Sequence, residues 1–169
     1  MESKAETRNC VLDEGTIQRK MRRMALEVAE QNHEESEIII AGITGNGEII
    51  AQNLIAELEK IRSLKISYTR VTLNKKEPSE VTFESAPELN GKVILLVDDV
   101  ANSGRTLLYA LKPLLNAHPK KIQTLVLVER SHKMFPIKTD YKGLSIATTL
   151  QEHILVETEG ERVTGAWLY

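Results

Sequence analysis

The stretch Val93–Thr106, VILLVDDVANSGRT, decides the fold. Five apolar residues, Val93 to Val97, run into the acidic pair Asp98 and Asp99. A turn of small residues, Ala101-Asn102-Ser103-Gly104, then opens a helix beginning near Arg105. Such a continuous apolar run reads as a buried parallel strand. In open α/β sheets, ligands bind beyond the carboxyl ends of strands, and the turn occupies that place. It offers successive backbone N–H groups, the Ser103 and Thr106 hydroxyls and a helix start, a combination suited to a phosphate. Carboxylates repel phosphate, so Asp98 and Asp99 must do something else: grip the hydroxyls of a ribose, or hold Mg²⁺ indirectly. One site would then read both ends of a ribose 5-phosphate. The plain alternative is a strand ending in a polar turn with Ser103 as a helix cap. A Walker-type phosphate loop is excluded, because no Gly-Lys-Ser/Thr follows a glycine-rich run.

The flanking sequence fits strands alternating with helices. Upstream, Ile17, Met21, Met24, Ala25 and Val28 recur at helical spacing, with Asp13 or Thr16 as the cap. Ile38–Ala41 reads as a short buried strand ending at Gly42, followed by the turn Ile43–Gly47 and a helix with Ile50, Leu54, Leu58 and Ile61 on one face. Ile66 to Leu73 is rich in strand formers. Asn74 to Asn90 is polar and holds Pro78 and Pro87; a connection of that length marks a lid or a disordered loop. After the opening motif, Leu107, Leu108, Leu111, Leu114 and Leu115 are expected to pack inward, with Pro113 kinking or shortening their helix. Ile122–Val128 is another apolar strand, and Ile154–Glu157 and Arg162–Leu168 are strand candidates in a mixed tail. This order implies an α/β fold with a mostly parallel sheet and right-handed crossovers.

The 169 residues are expected to form one domain, residues 1–169, with a substantial core and a frayed polar segment over residues 1–10. A net charge of −2 calls for no nucleic acid partner, although a local patch could still bind one. Cys10 is the single cysteine, so neither a disulfide framework nor a thiolate metal site is expected, and the four histidines lack metal-ligand spacing. No apolar run approaches the roughly 20 residues of a membrane span. The N-terminal stretch lacks an apolar signal core, so a cytoplasmic protein without a membrane partner is the expectation.

The motif Val93–Thr106 resembles the phosphoribosyl-pyrophosphate (PRPP) signature of type I phosphoribosyltransferases: apolar run, two acids, an apolar residue, two variable residues, then Ser-Gly-x-Thr. Two further segments, Cys10–Asn32 and Leu125–Thr149, are similar to the pyrimidine-operon attenuation regulators that double as uracil phosphoribosyltransferases. The resemblance covers roughly residues 10–160. It implies a Rossmann-like core, a small hood from the chain ends, and a homodimer or higher homo-oligomer. It implies PRPP, a nucleobase or a nucleoside monophosphate as ligand, and Mg²⁺ carried by the substrate rather than by direct protein ligands. Carried over residue by residue, Asp98 and Asp99 stand beside the ribose hydroxyls and stabilise positive charge growing there. Ala101, Asn102, Ser103, Gly104, Arg105 and Thr106 form the 5-phosphate loop. Thr44, Gly45, Asn46 and Gly47 hold the place of the pyrophosphate loop, and Arg130 and Ile154 match positions near the nucleotide or base. His132 and Lys133 read as surface or hood residues.

Two departures bear on activity. The pyrophosphate loop of the family usually carries a Lys/Thr/Arg set, whereas Thr44-Gly45-Asn46-Gly47 carries no cation and so lacks a strong bidentate anion contact. The polar segment Asn74–Asn90 is also short for a catalytic lid, with Lys75 and Lys76 as its cations. Weak transfer to uracil is therefore expected, and a cation restored by Asn46→Arg is expected to speed it. A second reading is a regulator that keeps the pocket as a nucleotide sensor and binds RNA through Arg19, Lys20, Arg22 and Arg23. Glu27 and Glu30 lie beside that cluster, which counts against it. A third is a degenerate protein with a structural role.

Overall fold

The computed structural model of the chain describes residues 7–84 and 88–169. The first strand, β1 (Asn9–Asp13), leads into α1 (Glu14–Gln31). Asp13 caps that helix by accepting from the Thr16 backbone N–H at 2.7 Å, and Ile17, Met21, Met24, Ala25 and Val28 are its buried stripe. Then come β2 (Glu37–Ile43), α2 (Asn46–Ile61), β3 (Lys65–Leu73), β4 (Val81–Phe83) and β5 (Val93–Ala101). The chain continues through α3 (Arg105–Ala110), a 3₁₀ turn over Lys112–Asn116, β6 (Lys121–Arg130), β7 (Tyr141–Ile146), β8 (Ile154–Glu159) and β9 (Arg162–Leu168).

Six strands form the central sheet in the order β4-β3-β2-β5-β6-β7, every pair parallel except β3 with β4. Its middle strands are buried on both faces, which is why they read as unbroken apolar runs. Val93, Leu95 and Val97 pack on the side of α1 and α2, while Ile94 and Leu96 join Leu107, Ala110 and Leu114 on the other side. From β2 the chain steps outward to β3, and from β5 it steps the opposite way to β6 and β7. The order therefore reverses between β2 and β5, a switch point at which both strand ends open toward one crevice. A second sheet, β1-β9-β8, is antiparallel and joins the two ends of the chain into the expected hood.

Four expectations are corrected. Asn9 and Cys10 are paired with Leu168 and Trp167, so the frayed segment cannot extend to residue 10; residues 1–6 lie outside the described residues. The polar segment after Leu73 is not structureless, because Val81–Phe83 pairs antiparallel with β3 as an edge strand; residues 85–87 lie outside the described residues. The helix after the opening motif stops at Ala110. Pro113 falls in a 3₁₀ turn, whose tighter winding carries Leu115 out to 74% exposure instead of inward. Finally, β7 is a strand that no apolar run announces. Its Gly143 lies against the Leu127 backbone oxygen, where a Cβ would come within 2.5 Å. Its carbonyls at Lys142 and Gly143 accept from Arg23 at 2.9 and 3.1 Å. An edge strand held by a glycine and a distant arginine leaves little local trace.

Candidate functional site

The crevice at the switch point is a cleft of about 200 Å³, lined by Lys75, the run Asp98–Leu107, and Ile154, Leu155 and Val156 of β8. Strand β5 delivers the acids to its floor and the turn after β5 forms one wall. The hood strand β8 forms another. Asp98 is 1% exposed. Burial and the neighbouring Asp99 carboxylate push its pKa up to about 8, against a smaller opposing pull from Lys75. The Lys75 ammonium sits 3.4 Å from Asp98 Oδ1 and 3.9 Å from Asp99 Oδ1. Asp98 Oδ1 also accepts from the Asp99 N–H at 2.9 Å. Gly47 permits this packing: a Cβ there would lie 3.0 Å from Asp98 Oδ1 and 3.1 Å from the Val97 carbonyl.

The turn Ala101–Thr106 is shaped by Gly104, which has φ +85° and stands where a Cβ would meet Ile137 Cγ2 at 2.5 Å. Only glycine serves both demands. The Ser103 hydroxyl accepts from the Arg105 N–H at 3.2 Å, and its carbonyl accepts from the Met134 and Phe135 N–H groups, both at 3.0 Å. The turn is thus braced from behind by the segment after β6. Ser103 itself lines the cleft.

The remaining predicted residues divide. Ile154 lines the cleft, together with Leu155 and Val156. Arg130 does not: its guanidinium donates to Thr148 Oγ1 and to the Thr149 carbonyl, tying β6 to the loop before β8. Of Thr44, Gly45, Asn46 and Gly47, Gly47 lies behind Asp98 and Asn46 reaches Asp99 and Val156 of the cleft wall. The Asn46 side chain donates to Asp99 Oδ2 at 3.1 Å and to the Val156 carbonyl at 2.9 Å, and accepts from the Thr158 hydroxyl at 3.2 Å. It clasps acid pair and hood together. Asn46→Arg is therefore expected to give no gain in transfer rate and to cost about 1–3 kcal/mol of stability through the lost hydrogen bonds. Urea melts beside a rate measurement check this.

Lys133 departs from a surface or hood role. It is mostly buried and pairs with Glu129 at 2.9 Å, while Lys142 pairs with the same carboxylate at 2.8 Å and Thr139 donates to it as well. Burial would raise the Glu129 pKa, but the bonds from Lys142, Thr139 and Lys133 outweigh it and hold the carboxyl at about 2. The buried salt-bridge role of Glu129, the clasp partner Thr158 and the contact of Lys75 with the acids escaped the sequence reading. An acid closing an apolar strand was the signal for Glu129, and a lone cationic pair in a polar segment was the signal for Lys75.

The acid pair with a bound ammonium is a field that accepts a cation, but among the described residues no three His, Cys, Asp or Glu side chains come together as a metal cage. The donor set fits Mg²⁺ that arrives already held by phosphate oxygens. Among the described residues no helix is long and apolar enough to cross a membrane.

Sheet order, hood and switch-point cleft define a Rossmann-like α/β core of the type I phosphoribosyltransferase kind. The phosphoribosyl transferase domain model matches residues 9–159. The chain belongs to that family, close to its pyrimidine-operon regulators. It is 33% identical over 152 residues to the pyrimidine operon regulatory protein of Lactococcus lactis subsp. lactis, covering 87% of this chain and 88% of the relative. It is 34% identical over 158 residues to the bifunctional protein PyrR of Latilactobacillus sakei subsp. sakei, covering 86% and 88%. Among solved structures, the hypoxanthine phosphoribosyltransferase of Trypanosoma cruzi superposes with a TM-score of 0.77 at 13% identity, covering 93% of this chain and 95% of that one. A hypoxanthine-guanine phosphoribosyltransferase of Bacillus anthracis gives 0.70 at 18% identity, covering 82% of each. At such identities these two likenesses speak for the fold alone.

Proposed function

We propose that this protein transfers a phosphoribosyl group between PRPP and a pyrimidine base, uracil first, at low turnover. One observation carries the reading: the acid pair, the Ala101–Thr106 turn and the hood strand β8 line a single cleft. The turn would bind the 5-phosphate, Asp98 and Asp99 would face the ribose, and Ile154 to Val156 would border the base. In the reaction the bond from ribose C1 to the pyrophosphate oxygen breaks, the bond from a ring nitrogen to C1 forms, and the nitrogen's proton is released. Positive charge grows on the ribose in between, as in glycoside cleavage, and the carboxylates stabilise it. Mg²⁺ bound to PRPP would neutralise the leaving pyrophosphate. The relatives named pyrimidine operon regulatory protein support a pyrimidine over a purine. The test incubates the protein with PRPP, Mg²⁺ and each nucleobase in turn and looks for nucleotide by mass. Product from uracil supports the reading, and product from a purine alone rejects it.

A cytoplasmic homo-oligomer, at least a dimer, goes with this reading. Leu26, Leu115 and Met134 are large apolar side chains left exposed on one chain. Sedimentation is expected to give at least twice the 19.0 kDa chain mass; a clean monomer at micromolar concentration rejects it.

The regulatory reading, an RNA-binding nucleotide sensor, rests on exposed Arg19 and Arg22 and half-buried Lys20 of α1 and on the names of the relatives. Arg23 is withdrawn from that patch, because it pairs with Glu27 and with the β7 carbonyls. An RNA mobility-shift assay decides whether what remains suffices.

A further inference from the structure

Asn46 opens α2, and both hydrogens and the oxygen of its amide are engaged. One Nδ2 hydrogen goes to Asp99 Oδ2 at 3.1 Å and the other to the Val156 carbonyl at 2.9 Å, while Oδ1 accepts from the Thr158 hydroxyl at 3.2 Å. The Val156 carbonyl can only accept, so it fixes which end of the amide faces the acid. Strand β8 is the outer strand of the hood, and its free edge carries backbone groups that no neighbouring strand satisfies. The register of β8 against β9 shifts between Glu157 and Thr158, and a bulge of this kind re-aims a side chain. Asp99 is held on its other oxygen as well, where Oδ1 accepts from the Val100 N–H at 2.8 Å. Among the described residues, no other side chain hydrogen-bonds both to an acid of the pair and to a hood strand.

We propose that Asn46 is a positioning residue that couples the two halves of the cleft: a ligand's hold on Asp99 is passed to hood strand β8, so sugar and base are recognised cooperatively. The proposal rests on the reading of the cleft as a ribose 5-phosphate site with the base beside Ile154 to Val156. A ribose hydroxyl that fixes the Asp99 carboxylate also fixes the Asn46 amide, and through it the edge of β8. That edge is then ordered before the base arrives, and by reciprocity an ordered edge favours the sugar.

Calorimetry and backbone amide exchange on the full chain test this, with UMP and with ribose 5-phosphate, for the natural protein, Asn46→Ala and Thr158→Val. Ribose 5-phosphate carries no base, yet in the natural protein it is expected to slow exchange over residues 154–159 at least threefold. Asn46→Ala is expected to bind ribose 5-phosphate within threefold of the natural protein, to lose that slowing, and to bind UMP at least tenfold more weakly. Thr158→Val keeps Asn46 and a β-branched strand residue; it is expected to weaken UMP at least threefold and ribose 5-phosphate less than twofold, so the proposal stays testable if Asn46→Ala does not fold. Equal weakening of the two ligands, unchanged affinity for both, or slowing of β8 that survives in Asn46→Ala overturns the coupling. So does binding of ribose 5-phosphate by the natural protein with no slowing at β8. Binding of neither ligand by the natural protein overturns instead the reading of the cleft, and the proposed function with it.

Discussion

Replacing Asp98 and Asp99 together by asparagine is expected to leave the fold intact and to weaken binding of PRPP and of UMP more than tenfold, about 1.4 kcal/mol or more. Both acids line the cleft beside the half-exposed Lys75, and their remaining contacts are hydrogen bonds from the Asp99 and Val100 N–H groups and the Asn46 amide, which asparagine oxygens can still accept in part. The folded protein also carries a cost at this point. Burial and Asp99 raise the Asp98 pKa to about 8 from an ordinary 3.8. Between those two values the unfolded chain gives up a proton that the folded chain keeps, so stability is fully present below about pH 4 and is lost as the pH rises through about 8. Asp98→Asn alone removes that loss. It is expected to raise the stability of the ligand-free protein at pH 8 by on the order of 1 kcal/mol or more relative to pH 5, while ligand affinity falls. Thermal melts at the two pH values, beside calorimetry, check both halves. Unchanged affinity in the double variant would remove the acids from the site.

Glu129→Ala is expected to cost about 3–5 kcal/mol of stability, the range for stripping one partner from a buried charge cluster. Glu129 is 4% exposed and holds Lys133, Lys142 and Thr139 at once. Without it, the mostly buried Lys133 ammonium has no carboxylate partner. Its side chain lies against Gly104, where a Cβ would be 3.4 Å from Lys133 Cδ, and the next two N–H groups brace the Ser103 carbonyl. The phosphate turn is therefore expected to loosen and UMP binding to weaken along with the fold. The pH dependence runs opposite to that of Asp98. With the Glu129 carboxyl held at about 2 against an ordinary 4.5, its contribution is present above pH 4.5 and fades as the pH falls toward 2. Urea melts at pH 7 and pH 3 are expected to show a large gap between natural protein and variant at pH 7 and a smaller one at pH 3.

The central strands and the first two helices were legible because their causes are local. Ile38–Ala41 and Val93–Val97 are apolar without a break because both faces of a middle strand are covered, and Ile17 to Val28 repeat at helical spacing because one stripe meets the core. The acid pair followed by a small-residue turn was legible for the same reason: strand end, turn and helix start are contiguous in the chain. Edge strands were not. β4 is three residues paired with nearby β3, β7 is braced by Arg23 from far along the chain, and neither needs an apolar run.

What the side chains do at the site was decided by the tertiary structure. Asn46 reads in sequence as a pyrophosphate turn that has lost its cation. In the fold it is a clasp, because β8, more than a hundred residues later, brings Val156 and Thr158 to its amide. Glu48 reads as an ordinary first-turn acid of a helix, yet it is held in an ion pair with Arg70 of β3. Arg130 and Arg23 read as ligand and RNA contacts, and the structure spends both on carbonyls of distant segments. Sequence by itself determined the backbone scaffold, since burial period and turn chemistry are properties of neighbours in the chain. Which charges remain available to a ligand depends largely on hydrogen bonds and ion pairs between residues far apart in the chain, up to 120 positions, and those exist only once the strands are in register.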